Sequence, residues 1–199
     1  MKYEVLTLGA YQTNCSLCWD EETKRCAIID PGYQPETIVR AMQDHGLTAA
    51  MILLTHGHFD HVGAVRPLAQ ALNIPVYLCE KELDLPEGIT GGPLYTTAEY
   101  ADGDEVKLDG LTFRVLETPG HTPGSVCLLC GDVMFSGDTL FARSCGRTDL
   151  PGGSWTQIRE SLQKLASLPE NYTVIPGHGP ATTLDFERRT NPYMTRFYE

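Results

Sequence analysis

Met51-Ile52-Leu53-Leu54-Thr55-His56-Gly57-His58-Phe59-Asp60-His61 sets an apolar run directly ahead of three histidines and a carboxylate, in a chain that has six histidines in all. The run at 51–54 reads as a buried strand, and the residues after it turn abruptly polar. In a loop that stays partly extended, alternate residues share a face, so His56 and His58 can chelate one ion. Asp60 and His61 are adjacent and diverge from each other, and at the start of the next helical pattern they are placed to turn toward a second position. Gly57 is read as the bend that permits this. Imidazoles mixed with carboxylates suit Zn, Fe or Mn better than Ca or Mg.

Before this stretch, residues 3–8, 12–19 and 26–29 read as strands, with a polar turn from Asp20 to Arg25 and an Asp30-Pro31-Gly32 turn at the end. Pro35 opens a helical pattern with Ile38, Val39 and Met42 on one face and Gly46 beyond its C-terminus. After it, Val62, Val65, Leu68, Ala69 and Leu72 recur at helical spacing, and Val76-Tyr77-Leu78 forms a short strand. Residues 86–104, rich in Gly, Pro and Thr, read as a surface excursion of the kind that borders binding sites.

A second strand series follows at 105–108, 111–117, 125–130 and 132–135, with Asp109-Gly110 turning one hairpin. Ser154 and Gln157 form a capping box for a helix whose apolar face is Trp155, Ile158, Leu162 and Leu165. Residues 172–175 are expected to be the last strand. Two β-rich halves that each finish in helices predict an α/β protein. Its expected architecture is an αββα sandwich of two mixed sheets with helices on the outer faces, as one domain over residues 1–199.

Composition bounds the function. The chain has 199 residues, 42% of them hydrophobic, and a net charge of −11 from 26 acidic against 15 basic residues. No Lys/Arg-rich block appears, so neither nucleic acid nor an anionic membrane surface is expected as a partner. No apolar run reaches the roughly 18–20 residues of a membrane span, and no signal-peptide pattern opens the chain. Seven cysteines, an odd number in a chain of this size, fit a reducing compartment, and a cytoplasmic location is expected.

Three further candidate ligands sit at predicted strand ends or in the Gly/Pro-rich turns beyond them. They are His121 in Thr118-Pro119-Gly120-His121, Asp138 in Ser136-Gly137-Asp138, and His178 in Pro176-Gly177-His178-Gly179-Pro180. With His56, His58, Asp60 and His61 this makes more donors than one tetrahedral ion uses and suits two ions sharing a carboxylate. His-x-His-x-Asp-His, a distant Gly-His, Ser-Gly-Asp and Pro-Gly-His-Gly-Pro, in that order, resemble the metallo-β-lactamase superfamily over nearly the whole chain. Within it they resemble the compact glyoxalase II-like hydrolases.

That resemblance implies that His56, His58 and His121 hold one divalent ion and Asp60, His61 and His178 a second, with Asp138 bridging them. Zn is expected, with Fe or Mn as substitutes. It implies hydrolysis of a hydroxyacyl thioester such as S-lactoylglutathione by a hydroxide between the ions, oriented by Asp60. Asp138 stands where true metallo-β-lactamases carry Cys or Ser, so penicillin hydrolysis is not expected. Full-length glyoxalase II enzymes add a C-terminal helical domain that contacts glutathione; this chain ends soon after Pro192-Tyr193, as in the compact subgroup.

Gly146-Arg147-Thr148-Asp149 resembles a stretch shared by compact glyoxalase II-like proteins and persulfide dioxygenases. Arg147 is accordingly a candidate substrate contact, set against an internal Arg147–Asp149 ion pair. The rival activity is a persulfide dioxygenase with one Fe(II) on His56, His121 and Asp138; a third reading is a metal-binding protein without catalysis. The remaining candidates are set aside. Cys15-x-x-Cys18 and Cys127-x-x-Cys130 mimic a zinc site, but positions three apart in a strand face opposite ways. Cys145 has no spare histidine to activate it, and His45 lies at a helix end where the dipole favours it.

Overall fold

A computed structural model of the protein describes residues 1–195. The chain begins with β1 (Lys2–Leu8), β2 (Thr13–Trp19) and β3 (Arg25–Ile29), then α1 (Pro35–Asp44), β4 (Thr48–Leu53), α2 (Phe59–Val62), α3 (Val65–Leu72) and β5 (Val76–Leu78). A 3₁₀ turn at Glu80–Asp84 leads to α4 (Glu87–Thr90) and β6 (Ala98–Glu99). These six strands form one sheet in sequence order, antiparallel through β3 and parallel from β3 to β6.

The second half has β7 (Glu105–Leu108), β8 (Leu111–Glu117), β9 (Val126–Cys130), β10 (Val133–Gly137) and a small hairpin, β11 (Leu140–Phe141) with β12 (Ser144–Cys145). It ends with α5 (Trp155–Ala166), β13 (Thr173–Pro176), β14 (Thr182–Thr183), α6 (Leu184–Thr190) and α7 (Pro192–Thr195). The second sheet runs β14-β13-β10-β9-β8-β7, with only β10 and β13 parallel.

Three apolar layers confirm the expected sandwich. Strand residues that alternate in sequence separate to opposite faces. Ile28, Ile52 and Val76 pack outward against Ile38, Met42, Val65 and Leu68 of α1 and α3. Ala27, Ile29 and Leu53 pack inward against Phe113, Val115, Leu128 and Phe135 of the second sheet. On the far side of that sheet, Leu129, Met134 and Val174 meet Leu162 and Leu165 of α5 with Leu184 and Met194.

The cysteine pairs divide in the same way, Cys15 into the outer layer and Cys18 between the sheets, Cys127 outward and Cys130 inward, so neither pair chelates. All seven thiols are free, and burial pushes the half-buried Cys145 up to about 11, which leaves it a neutral thiol.

Three local expectations change. Residues 86–104 hold α4 and β6 rather than an unbroken loop, and β14 follows the strand expected to be last. Trp155 is 49% exposed and lies edge-on to Tyr193, because the first residue of α5 sits past the end of the face that Ile158 and Leu162 bury. Ser154 does cap that helix, its hydroxyl accepting from the Gln157 amide. His45 follows α1 and lies 2.9 Å from Glu4 on the surface, away from the other histidines.

Candidate metal centre

Five of the seven expected ligands lie just beyond the C-terminal end of a strand, and the other two, Asp60 and His61, follow in the first turn of the next helix. β3 and β4 run parallel in one sheet, while β8, β10 and β13 share a direction in the other, so their ends open on one edge of the sandwich. β4 delivers the loop with His56 and His58, and α2 carries Asp60 and His61. The turn after β8 carries His121, the end of β10 Asp138, and the turn after β13 His178. Edges of this kind gather ligand sites because the strands stop while their side chains still converge. A bond from the Val126 amide to the Thr55 carbonyl (2.9 Å) stitches the two sheets together beside the site.

The side chains meet as two groups. One ligand atom each from His56, His58 and His121 lie within 4.8 Å of one another, and the same holds for Asp60, His61 and His178. His58 Nδ1 is 2.9 Å from His121 Nε2, and His61 Nε2 is 3.3 Å from His178 Nε2. Asp138 reaches toward both groups: one oxygen is 3.5 Å from His61 Nε2, and the other is 3.4 Å from His121 Nε2 and 3.7 Å from His178 Nε2. Asp60 and His61, expected to diverge, converge on His178, whose Nε2 is 3.1 Å from Asp60 Oδ2.

Four of the five imidazoles are oriented from behind. His56 Nδ1 lies 3.1 Å from the Thr55 hydroxyl, His61 Nδ1 3.0 Å from Asp30, His121 Nδ1 2.8 Å from the Arg147 carbonyl and His178 Nδ1 3.0 Å from the Tyr11 carbonyl. Such partners fix which nitrogen faces the ion and raise its basicity. Thr13 donates to Asp60 (3.3 Å), and Asn14 donates to the Pro176 and Gly179 carbonyls that flank His178 (2.9 Å each).

A third grouping, Asp30 with His56 and His61, also falls within ligating distance. Asp30 is already committed, because its two oxygens accept from the Thr55 amide and hydroxyl and face His61. It is a support of the site, and its Asp-Pro-Gly turn alone could not place the side chain.

The donor set fits a pair of transition-metal ions. His56 Nε2, His58 Nε2 and Asp138 Oδ1 are buried and have no hydrogen-bond partner among the described residues. Unsatisfied buried polar atoms on this scale are costly unless a cation takes them up. Burial, reinforced by neighbouring imidazoles, pushes His56 far down and His58 down to about 3, and burial also lowers His121. Those three stay in the neutral, ligating form.

Burial alone would also lower His61, but Asp138, Asp30 and Asp60 around it raise it to about 9. His178 rises likewise against its burial through Asp60 and Asp138, while Asp60, despite burial, is lowered to about 2 by His178 and His61. The carboxylates of Asp30, Asp60 and Asp138 thus surround the second group, whereas the first consists of imidazoles alone.

A cavity of about 540 Å³ opens over both groups. Tyr11, Phe59, Ile89, Phe141 and Leu150 wall it, and Arg147 lines its mouth. Arg147 is bound in two-pronged fashion by Asp149, Nε to Oδ1 and Nη2 to Oδ2 at 2.7 Å each, so the expected internal ion pair is present and the side chain still borders the cavity. A larger groove of about 700 Å³ between α1 and α3 contains no histidine or cysteine and is remote from this chemistry.

The sequence pattern of the metallo-beta-lactamase superfamily matches residues 8–178, and the chain belongs to that superfamily. It is 37% identical to the hydroxyacylglutathione hydrolase GloC of Haemophilus influenzae, with 98% of each chain covered. Among solved structures it resembles the BLEG-1 B3 metallo-beta-lactamase, with a TM-score of 0.88 and 39% identity over 98% of this chain and all of that one. It also resembles TTHA1623 in a di-iron-bound form, with a TM-score of 0.84 and 44% identity over 96% of this chain and 99% of that one. No helix among the described residues is long and apolar enough to cross a membrane.

Proposed function

We propose that this protein is a dinuclear metal-dependent hydrolase that cleaves a hydroxyacyl thioester, S-lactoylglutathione being the substrate to test first. The observation that carries the reading is the Asp138 carboxylate, which spans from His121 in one ligand group to His61 and His178 in the other beneath a cavity of substrate size. His56, His58 and His121 would hold one ion, Asp60, His61 and His178 the other, with Asp138 shared. When bound, two divalent ions supply a water acidified toward neutral pH and a Lewis acid for the carbonyl oxygen.

The chain's own residues do the rest. Asp60, held ionised and fixed by Thr13, accepts a hydrogen bond from the attacking water and aims it at the carbonyl carbon. The apolar walls formed by Phe59, Ile89 and Phe141 exclude bulk water and seat the acyl group. Among the described residues no side chain is placed as a general acid for the leaving group, and a thioester needs none, since its thiol has a pKa of about 8.5. Arg147 would exchange Asp149 for a substrate carboxylate at the mouth.

GloC supports the thioester reading by its name and its full-length likeness. The likeness to ETHE1 from Myxococcus xanthus, with a TM-score of 0.86 and 32% identity over 96% of this chain and 84% of that one, keeps a second reading open, a mononuclear iron persulfide dioxygenase on His56, His121 and Asp138. The likeness to BLEG-1 makes a penicillin the third substrate to test. Metal analysis of the protein purified from its native host, followed on the same sample by lactoylglutathione hydrolysis, oxygen uptake with glutathione persulfide and penicillin hydrolysis, separates them. Two ions per chain with thioester cleavage is the expected result. A two-metal protein that cleaves no acyl thioester would remove the assignment.

A further inference from the structure

Glu82, in the 3₁₀ turn after β5, is completely buried, and no Lys, Arg or His lies within ion-pair distance of it among the described residues. Its two oxygens are used separately. Oε2 accepts from the Gly57 amide (2.6 Å), between His56 and His58, and Oε1 accepts from the Gly124 amide (2.7 Å), in the turn that carries His121. The Thr122 hydroxyl, 2.6 Å from Ser125 Oγ, lies beside the carboxylate. Burial pushes the Glu82 carboxyl up, and the Gly57 and Gly124 amides, with the Thr122 hydroxyl nearby, pull it back down.

The two glycines make room for this group. A Cβ on Gly57 would lie 3.2 Å from Glu82 Oε2, and one on Gly124 would lie 2.9 Å from Oε1. Neither glycine needs a left-handed backbone, so Gly57 is small because Leu94, at 2.9 Å from such a Cβ, and the Glu82 carboxylate pack against it, and not because the loop bends there. An isolated buried carboxylate costs several kcal/mol, roughly, unless every lone pair finds a donor, and here the donors come from two loops that are far apart in sequence.

We propose that Glu82 is a positioning residue for the first metal subsite, its carboxylate tying the His56–His58 loop to the His121 turn so that the three imidazoles meet at ligating distance. The inference rests on the ligand assignment proposed above. The clamp acts on one subsite only: Asp60, His61 and His178 are supported instead by Thr13, Asp30 and the Tyr11 carbonyl.

Zn²⁺ titration of the full chain in two single-subsite backgrounds tests it. His178→Ala weakens the second subsite and reports the first, and His121→Ala does the reverse. Glu82→Gln keeps the size of the side chain but presents an NH₂ group to one of the two amides, breaking half of the clamp. In the His178→Ala background it should weaken Zn²⁺ binding by roughly 10–100-fold, the range for a lost outer partner of a ligand. In the His121→Ala background it should change nothing.

Equal affinities with and without Glu82→Gln, or an equal loss in both backgrounds, would overturn the proposal, the latter marking Glu82 as a support of the fold alone. If Glu82→Gln does not fold by far-UV circular dichroism, Thr122→Val carries the same comparison. It should show a smaller loss confined to the first subsite, and absence of that bias would again overturn the proposal. Failure of the otherwise unaltered chain to bind two Zn²⁺ ions would count instead against the ligand assignment itself.

Discussion

Glu82 and Glu187 are both fully buried carboxylates whose oxygens accept from distant segments, and they brace different parts of the cavity. Glu82 joins two loops of the metal floor. Glu187, in α6, accepts from the Arg143 amide (2.8 Å), the Asn191 side chain (2.8 Å) and the Thr182 hydroxyl (2.6 Å), while Asn191 donates onward to the Phe141 and Ser144 carbonyls. It thereby holds the β11–β12 hairpin, a wall of the substrate cavity. The floor is built from strand ends and imidazoles, all buried except the half-buried His178 and each ring except His58 with a partner behind it, whereas the rim consists of half-buried or exposed side chains on a short hairpin and loops. Buried, partnered groups are concentrated where the chemistry would occur, and the more exposed side chains of the rim would meet the substrate first.

The contrast can be broken most directly at the floor. Asp138→Ala and His58→Ala should each lower bound metal and turnover together, by more than the roughly 10–100-fold that loss of an outer partner costs. Normal metal stoichiometry by elemental analysis in Asp138→Ala would show the shared carboxylate to be misassigned. Asp30→Asn comes next, because it leaves the His61 ring without its anionic partner. Zn²⁺ affinity should drop by about 10–100-fold at the second subsite, read by competition with a chromophoric chelator.

At the rim the effects should shrink and change kind. Glu187→Gln should raise KM by up to about tenfold, the equivalent of roughly 1.4 kcal/mol, with kcat and metal content unchanged. A loss of metal in that variant would erase the distinction between floor and rim. Arg147→Ala should leave the metal content and the unfolding temperature unaltered and shift KM only for substrates that bear a carboxylate, since the exposed Arg147–Asp149 pair contributes little to the fold. Cys18→Ala, between the sheets, should change neither metal content nor turnover.

Much of the floor was readable in the chain. His56, His58, Asp60 and His61 stand out because imidazoles are scarce here and rarely cluster without a cation, and His121, Asp138 and His178 each sit in a short Gly-bearing turn after a strand. The period-two pattern also separated Cys15 from Cys18 and Cys127 from Cys130 without coordinates. Asp30, in its Asp-Pro-Gly turn, could be suspected as a support but its side chain could not be placed, and Glu82 and Glu187 were not readable as supports. They are three acids among 26, and what distinguishes them is burial against amides and hydroxyls contributed by distant segments. Trp155 misled for a related reason: spacing places it on the apolar face of α5, but the neighbouring layer does not extend over the first residue of that helix.

By itself the sequence determined the α/β layering and marked the candidate donors, because side-chain periodicity and ligand chemistry are local properties of the chain. Tertiary structure decided how those donors divide into two groups, which carboxylate reaches both, and which buried acids brace the loops. Those are matters of distances between β4, β8, β10 and β13, set by how two twisted sheets pack, and no spacing along the chain encodes them. The His56-to-His61 stretch points to a metal site, and the packing of the second sheet against it assembles two groups of donors where the sequence offers one cluster.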